Sequence, residues 1–168
     1  MKNRKDLARL LLFIATIYWG IWLGGYIFNA VMLVPIWSHN PPDSMISYFG
    51  APRFLIYFFK WVNPWVFLAS LMAWLFTIKL DTGARSWLGW ATLVAWIMFP
   101  LKVWMIITIG GVVSETMQGN FEPNMVNAIS WWRNMNWVTI ATATVILTLH
   151  LLAILNFNNP RRMKVRLP

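Results

Sequence analysis

The sequence predicts an all-α fold, an integral membrane four-helix bundle, and three observations carry that prediction. Of the 168 residues, 59% are hydrophobic and 11% charged, where a soluble domain carries roughly a quarter of its residues charged. The apolar residues come in runs too long for a globular core, and few charges interrupt them. The polar stretches between the runs are short, so residues 1–168 form a single transmembrane domain with no room for a second one.

The first span is expected over residues 7–34. A basic start, Lys2-Asn3-Arg4-Lys5, precedes an apolar run that reaches Trp37, too long and too aromatic for a cleaved signal peptide. About 20 residues cross the hydrocarbon, so this helix has length to spare, and Pro35 with His39-Asn40-Pro41-Pro42-Asp43 is expected to stop it. The second span is expected over 64–79. Before it, residues 45–62 are apolar but carry Arg53 and Lys60 seven residues apart, near one helical face. This stretch reads as an amphipathic interfacial segment between spans 1 and 2, or as the start of a longer second span, with Asn63-Pro64 kinking it either way. The turn 79–85 is short enough to make spans two and three antiparallel neighbours. The third span, 87–109, is expected to be broken by Pro100 and Lys102. Gly110-Gly111 and a polar loop, 114–127, lead to the fourth span at 134–157 and a basic tail.

Charge sets the orientation. Of the 14 lysines and arginines, ten (Lys2, Arg4, Lys5, Arg9, Lys79, Arg85, Arg161, Arg162, Lys164 and Arg166) fall on one side of these spans. Arg53, Lys60 and Arg133 fall on the other, and Lys102 is left inside a span. Cytoplasmic loops collect Lys and Arg, so the N and C termini are expected in the cytoplasm, and the membrane is expected to be a bacterial cytoplasmic (inner) membrane. The same rule explains the net charge of +9 without nucleic acid as a partner. The bilayer is the partner the composition demands. Trp37, Trp61, Trp65, Trp131, Trp132 and Trp137 near the outer ends, and Trp87 and Trp90 near an inner end, suit the headgroup layer.

Several chemistries are removed by composition. There is no Cys, which excludes disulfides, thiolate metal sites and covalent c-type haem. His39 and His150 are too far apart for a short metal-ligand motif, and none of the five acidic residues falls inside an apolar run. No metal or covalent cofactor is predicted. A lone His150 on the fourth span reads as a satisfied polar residue or one at the interface; haem or pigment held with a partner subunit's help is the alternative. Thr139, Thr142, Thr144 and Thr148 are expected to bond back to helix carbonyls. Thr16, Gly20 and Gly24, four residues apart, suit close helix packing against another span or another subunit.

Lys102 is the most informative residue. At 1.5 Å per residue it lies about 22 Å from Trp87, past the middle of the membrane. An ammonium there must snorkel outward, face the bundle interior, or be held by a partner. Asn29, Asn136, Trp132, Arg133, Asn124 and Glu115 are placed in the same outer half, between spans one, three and four, and with Lys102 they form the candidate ligand-binding set. Glu115 or Glu122 could pair with Lys102 if the loop folds back. In that case Lys102→Met strands a carboxylate, at a cost on the order of 3–5 kcal/mol.

Gly24-Gly25-Tyr26-Ile27-Phe28 leading to Val34-Pro35, then Asn63-Pro64-Trp65-Val66-Phe67, resembles the first half of the anthrone-oxygenase-like family of small four-helix membrane proteins. Glu122-Pro123-Asn124, Trp132 and Asn136 resemble its second half, so the likeness extends over most of the chain through short motifs. The resemblance implies a four-helix membrane fold and, by analogy with some fungal members, oxidation of anthrones to anthraquinones without an obvious cofactor. One departure stands out: the family's arginine three residues after that asparagine is Thr139 here.

Two functions stay open on the sequence. One is an accessory or structural subunit of a membrane complex, with a membrane-protein partner or a second copy of the chain. The other is an anthrone-oxygenase-like protein that binds or oxidises a lipophilic small molecule in the outer half of the bundle. The topology is tested by reporter fusions: one after Pro168 and one in the Thr82-Gly83 turn should report cytoplasm, and one near Gln118-Gly119 the outside. An outside signal from the Thr82-Gly83 turn contradicts four spans.

Overall fold

The computed structural model describes residues 2–50 and 54–159, with side chains described for 4–50 and 62–159. Among these residues all regular structure is helical. Helix α1 (Lys2–Phe28) runs through a π-helical turn (Asn29–Leu33) into α2 (Val34–Ser38). A short α3 (Asp43–Phe49) follows, and then three long helices, α4 (Phe54–Thr77), α5 (Ala84–Met117) and α6 (Pro123–Leu155). Among the described residues three helices are long and apolar enough to cross a membrane, and a shorter apolar helix covers Val62–Thr77.

What assembles them is a repeat that averages 3.5 residues. Helix α1 buries Ala8, Leu12, Ala15, Trp19, Trp22 and Tyr26 at alternating steps of four and three. Helix α5 does the same with Ala84, Leu88, Ala91, Ala95, Met98, Lys102 and Met105. Helix α6 buries Asn136, Thr139, Ala143, Ile146, His150 and Ala153, and α4 buries Val66, Ser70, Ala73 and Thr77. A seam with this period keeps facing its neighbour when helices wrap left-handedly at a small angle. The result is a closed ring in which α1 packs on α4 and α6, and α5 packs on α4 and α6. The opposite faces carry Ile17, Trp90, Ile97, Ile107 and Leu155, all exposed, as lipid-facing surfaces require.

Both described ends of the chain meet the α4–α5 turn. Arg4 donates to the Phe76 carbonyl at 3.4 Å, the Thr82 hydroxyl donates to the Phe157 carbonyl, and the Gly83 amide donates to the Asn159 carbonyl at 2.8 Å. A Cβ on Gly83 would stand 3.2 Å from the Asn156 carbonyl oxygen, so this close approach suits glycine. At the other end, Gly119 ends α5 in the left-handed conformation (φ 84°). Extended Glu122 then sets Pro123 in the first turn of α6, where its missing N–H removes no bond.

Three local expectations are corrected. Pro35 does not stop the first helix, which stays helical from Arg4 to Ser38. The Val34 amide bonds the Asn29 carbonyl five residues back, and the widened turn accommodates a ring that would clash in a regular helix. Pro100 and Lys102 do not break α5, which is continuous from Ala84 to Met117. The loop after it is shorter than 114–127, because α5 and α6 extend into both its ends. In the stretch 45–62, α3 covers the first part and the backbone of α4 is helical from Phe54. Arg53 and the side chain of Lys60 lie outside the described residues.

The seam generates a test. Ala143 is fully buried in the cluster with Trp19, Trp22, Phe67 and Ile146. Ala143→Leu should destabilise the detergent-purified protein by about 1–3 kcal/mol, read as a lower melting temperature. Ala141→Leu, on the exposed face of the same helix, should leave melting unchanged.

Candidate functional site

Near the end of the bundle away from the termini, the four long helices enclose a cavity of about 300 Å³. Tyr26 of α1 and Asn29 of the π-helical turn line one side, and Ile106, Ile109, Gly110 and Val113 of α5 the other. Asn63 of α4 and Trp132 of α6 complete the walls, and Trp37, Tyr48 and Phe49 of α2 and α3 cover the end. Ser44 holds that cover in place: its hydroxyl donates to the Trp37 carbonyl at 2.7 Å and accepts the Asn40 amide at 3.2 Å.

Local structure brings the polar groups inside. The π-helical turn adds a residue to the seam of α1, so Asn29 faces the cavity while adjacent Ala30 is buried. The Asn29 amide donates to the Asn136 side-chain oxygen at 3.4 Å, and Asn136 donates to the Trp132 carbonyl at 2.9 Å. Asn63 accepts the Trp22 indole N–H and is hydrogen-bonded to the Tyr26 hydroxyl. The Trp132 indole N–H is buried and has no hydrogen-bond partner among the described residues.

Lys102 does not snorkel. It is 4% exposed, and its Nζ lies 4.3 Å from the Tyr26 ring centroid and 5.4 Å from that of Trp132. It donates to the Thr139 hydroxyl at 3.3 Å and approaches the Met105 sulfur at 3.8 Å. Aromatic faces attract a cation more strongly when water is excluded. Glu115 and Glu122 do not supply the expected partner. Both are exposed, and Glu115 accepts instead from Asn120 at 3.3 Å.

Of the sequence-derived set, then, Lys102, Asn29, Asn136 and Trp132 come together. Arg133, Asn124 and Glu115 are exposed and are not part of the cavity wall. Sequence reasoning did not assign Tyr26, Asn63, Thr139, Trp37, Tyr48 or Phe49 to the site. A signal for Tyr26 existed in its place on the seam, four residues after Trp22.

A second buried network lies nearer the termini. The Trp19 indole donates to the Ser70 hydroxyl at 2.6 Å, and Ser70 lies 3.2 Å from Nε2 of His150. Nδ1 of His150 is 2.9 Å from the Ile146 carbonyl. Facing a carbonyl, Nδ1 carries the hydrogen, so Nε2 accepts from Ser70. The Trp19 indole N–H, the Ser70 hydroxyl and both ring nitrogens of His150 each have a partner, the satisfied reading of His150. The four threonines of α6 each bond the carbonyl four residues back, at 2.8–2.9 Å. Among the described residues, no group of three or more His, Cys, Asp or Glu stands close enough to hold a metal ion.

No family model, curated protein or solved structure matches this chain.

The two networks respond differently to mutation. Ser70→Ala leaves the Trp19 N–H and His150 Nε2 unpaired and should cost about 1–3 kcal/mol. Lys102→Met strands no charge and leaves the Thr139 hydroxyl its bond to Met135, so melting should be unchanged or higher. A fall of the size expected for a stranded carboxylate would contradict the contacts described for Lys102.

Proposed function

We propose that this chain is an integral membrane protein of a bacterial cytoplasmic membrane, with cytoplasmic termini, that binds a lipophilic small molecule in the outer half of its bundle. The observation that carries this reading is the cavity itself. Its volume of about 300 Å³ is roughly twice that of a cavity that takes up benzene. That size suits a body of two or three fused rings. Aromatic and aliphatic walls with a few convergent polar groups, here Asn29, Asn63 and Trp132, are the usual make-up of a small-molecule site. An anthrone-like tricyclic ketone, as the family resemblance implies, is of this class. Ile106 and Gly110 are exposed on α5 as well as lining the cavity, which supports access sideways from the lipid.

A second reading, a subunit of a larger membrane complex, is favoured by one observation. A Cβ at Gly20 or Gly24 would meet nothing within 4 Å, so this small-residue face of α1 is uncovered among the described residues. Purification from native membranes separates the two readings by whether a small molecule or a protein accompanies the chain.

The cavity reading is tested with a neutral tricyclic probe, 9-anthracenemethanol, titrated into protein in lipid nanodiscs and followed by energy transfer from tryptophan. Wild type should show a saturable component. A Cβ at Gly110 also meets nothing within 4 Å, so Gly110→Phe can fill the cavity mouth without displacing backbone. It should weaken binding by at least about tenfold. Equal saturable binding by both proteins would place the probe elsewhere.

A further inference from the structure

Behind the cavity wall lies a basic group with no carboxylate beside it among the described residues. All five acidic residues, Asp6, Asp43, Asp81, Glu115 and Glu122, are exposed, whereas Lys102 is buried at 4% exposure. The groups around its Nζ are neutral: a hydroxyl, a thioether and two aromatic faces. Cation–π contacts and one hydrogen bond replace only part of an ammonium's hydration, and a buried ion pair is completed by a counter-charge. Two of these neighbours, Tyr26 and Trp132, are also cavity wall, so the charge stands immediately behind the lining. Trp132 also carries a buried indole N–H with no acceptor among the described residues. A cation and a spare N–H donor beside one small apolar cavity describe the receiving end for an acceptor-rich, negatively charged head.

Resting on the proposal that the cavity takes a lipophilic molecule, we infer that its ligand is a lipophilic monoanion. A carboxylate or phenolate-type head sits against Trp132 and toward Lys102, and the ring body lies among Ile106, Ile109 and Phe49. An oxygen of the head accepts the Trp132 N–H, and its charge compensates the ammonium. In a water-poor site such charge-assisted contacts are stronger than neutral ones. A neutral molecule of the same shape gains the apolar contacts but leaves the cation unbalanced. A cationic one is repelled.

Three anthracenes of nearly equal shape separate these cases: 9-anthracenecarboxylate, 9-anthracenemethanol and 9-(aminomethyl)anthracene. Each is titrated into protein in nanodiscs of zwitterionic lipid. The carboxylate should bind at least about tenfold more tightly than the alcohol, and the amine more weakly than either. Lys102→Met should abolish the preference for the carboxylate while alcohol binding persists, which also shows that the cavity is intact. Trp132→Phe keeps an aromatic ring but removes the N–H together with one ring of the indole, so it should weaken the carboxylate more than the alcohol. Equal affinity for carboxylate and alcohol in wild type, or a preference that survives Lys102→Met, overturns the anion assignment and leaves the cavity reading standing. Saturable binding of none of the three overturns both.

Discussion

The structure depends on the 3.5-residue seam that runs along its long helices. A seam position is inside the ring whatever residue occupies it, so the sequence places Ser70, Lys102, Asn136, Thr139 and His150 in the core by spacing alone. In a bilayer, burial of apolar surface does little to hold helices together, and close packing and polar contacts between helices do more. The seam supplies both. Ala15, Ala91, Ala95 and Ala143 let the backbones approach where Trp19 and Trp22 fill the centre, and those two indoles donate to Ser70 and Asn63 across the interface with α4.

Where the seam of α1 is interrupted, the packing opens. Through Tyr26 the steps alternate regularly; the π-helical turn then inserts a residue before Ala30, Val34 and Trp37 resume the inward face. Trp37, Tyr48 and Phe49 of α2 and α3 close the end, packed with Val112 of α5 and Ile129 of α6. The cavity is the space between the regular bundle below and this aromatic cover above. Irregular backbone inside a membrane bundle is tolerated where it is buried in protein or lines a cavity, and a π-helical turn often marks a functional position. The site is thus a consequence of one inserted residue in an otherwise repetitive core.

Much of the fold was legible, and the misses share a cause. Long apolar runs and short polar breaks gave four helices, because bilayer thickness sets their length. Pro35 and Pro100 were misjudged, because the rule that proline ends a helix assumes regular geometry and solvent able to satisfy the freed carbonyls. Here one proline follows a widened turn, and the other sits in a helix held by neighbours on both sides. The start of α6 was hidden by the polarity of residues 124–127, although Glu122-Pro123 carries a helix-start signal. The inward position of Lys102 could be read from Ala91, Ala95, Met98 and Met105 at steps of three and four around it. Two of its partners, Tyr26 and Thr139, could not. Tyr26, Thr139 and Trp132 reach it through the ring closure of α1 and α6, and no local pattern in α5 encodes that. Treating tryptophans as interface anchors likewise left Trp19 and Trp22 without a role, though their spacing from Ala15 and Tyr26 marks them as core.

The central claim is that a seam position, not the reach of its side chain, decides where the Lys102 ammonium resides. Solid-state NMR tests it most directly, by a dipolar-recoupling distance between 15N-labelled lysine Nζ and 13C-labelled tyrosine rings in lipid bilayers. Lys102→Met identifies the signal. The Lys102 resonance should dephase as a nitrogen close to 4.3 Å from the Tyr26 ring centre. Absence of dephasing at that resonance, with contacts to lipid headgroups in its place, would show the cation outside the bundle and contradict the account.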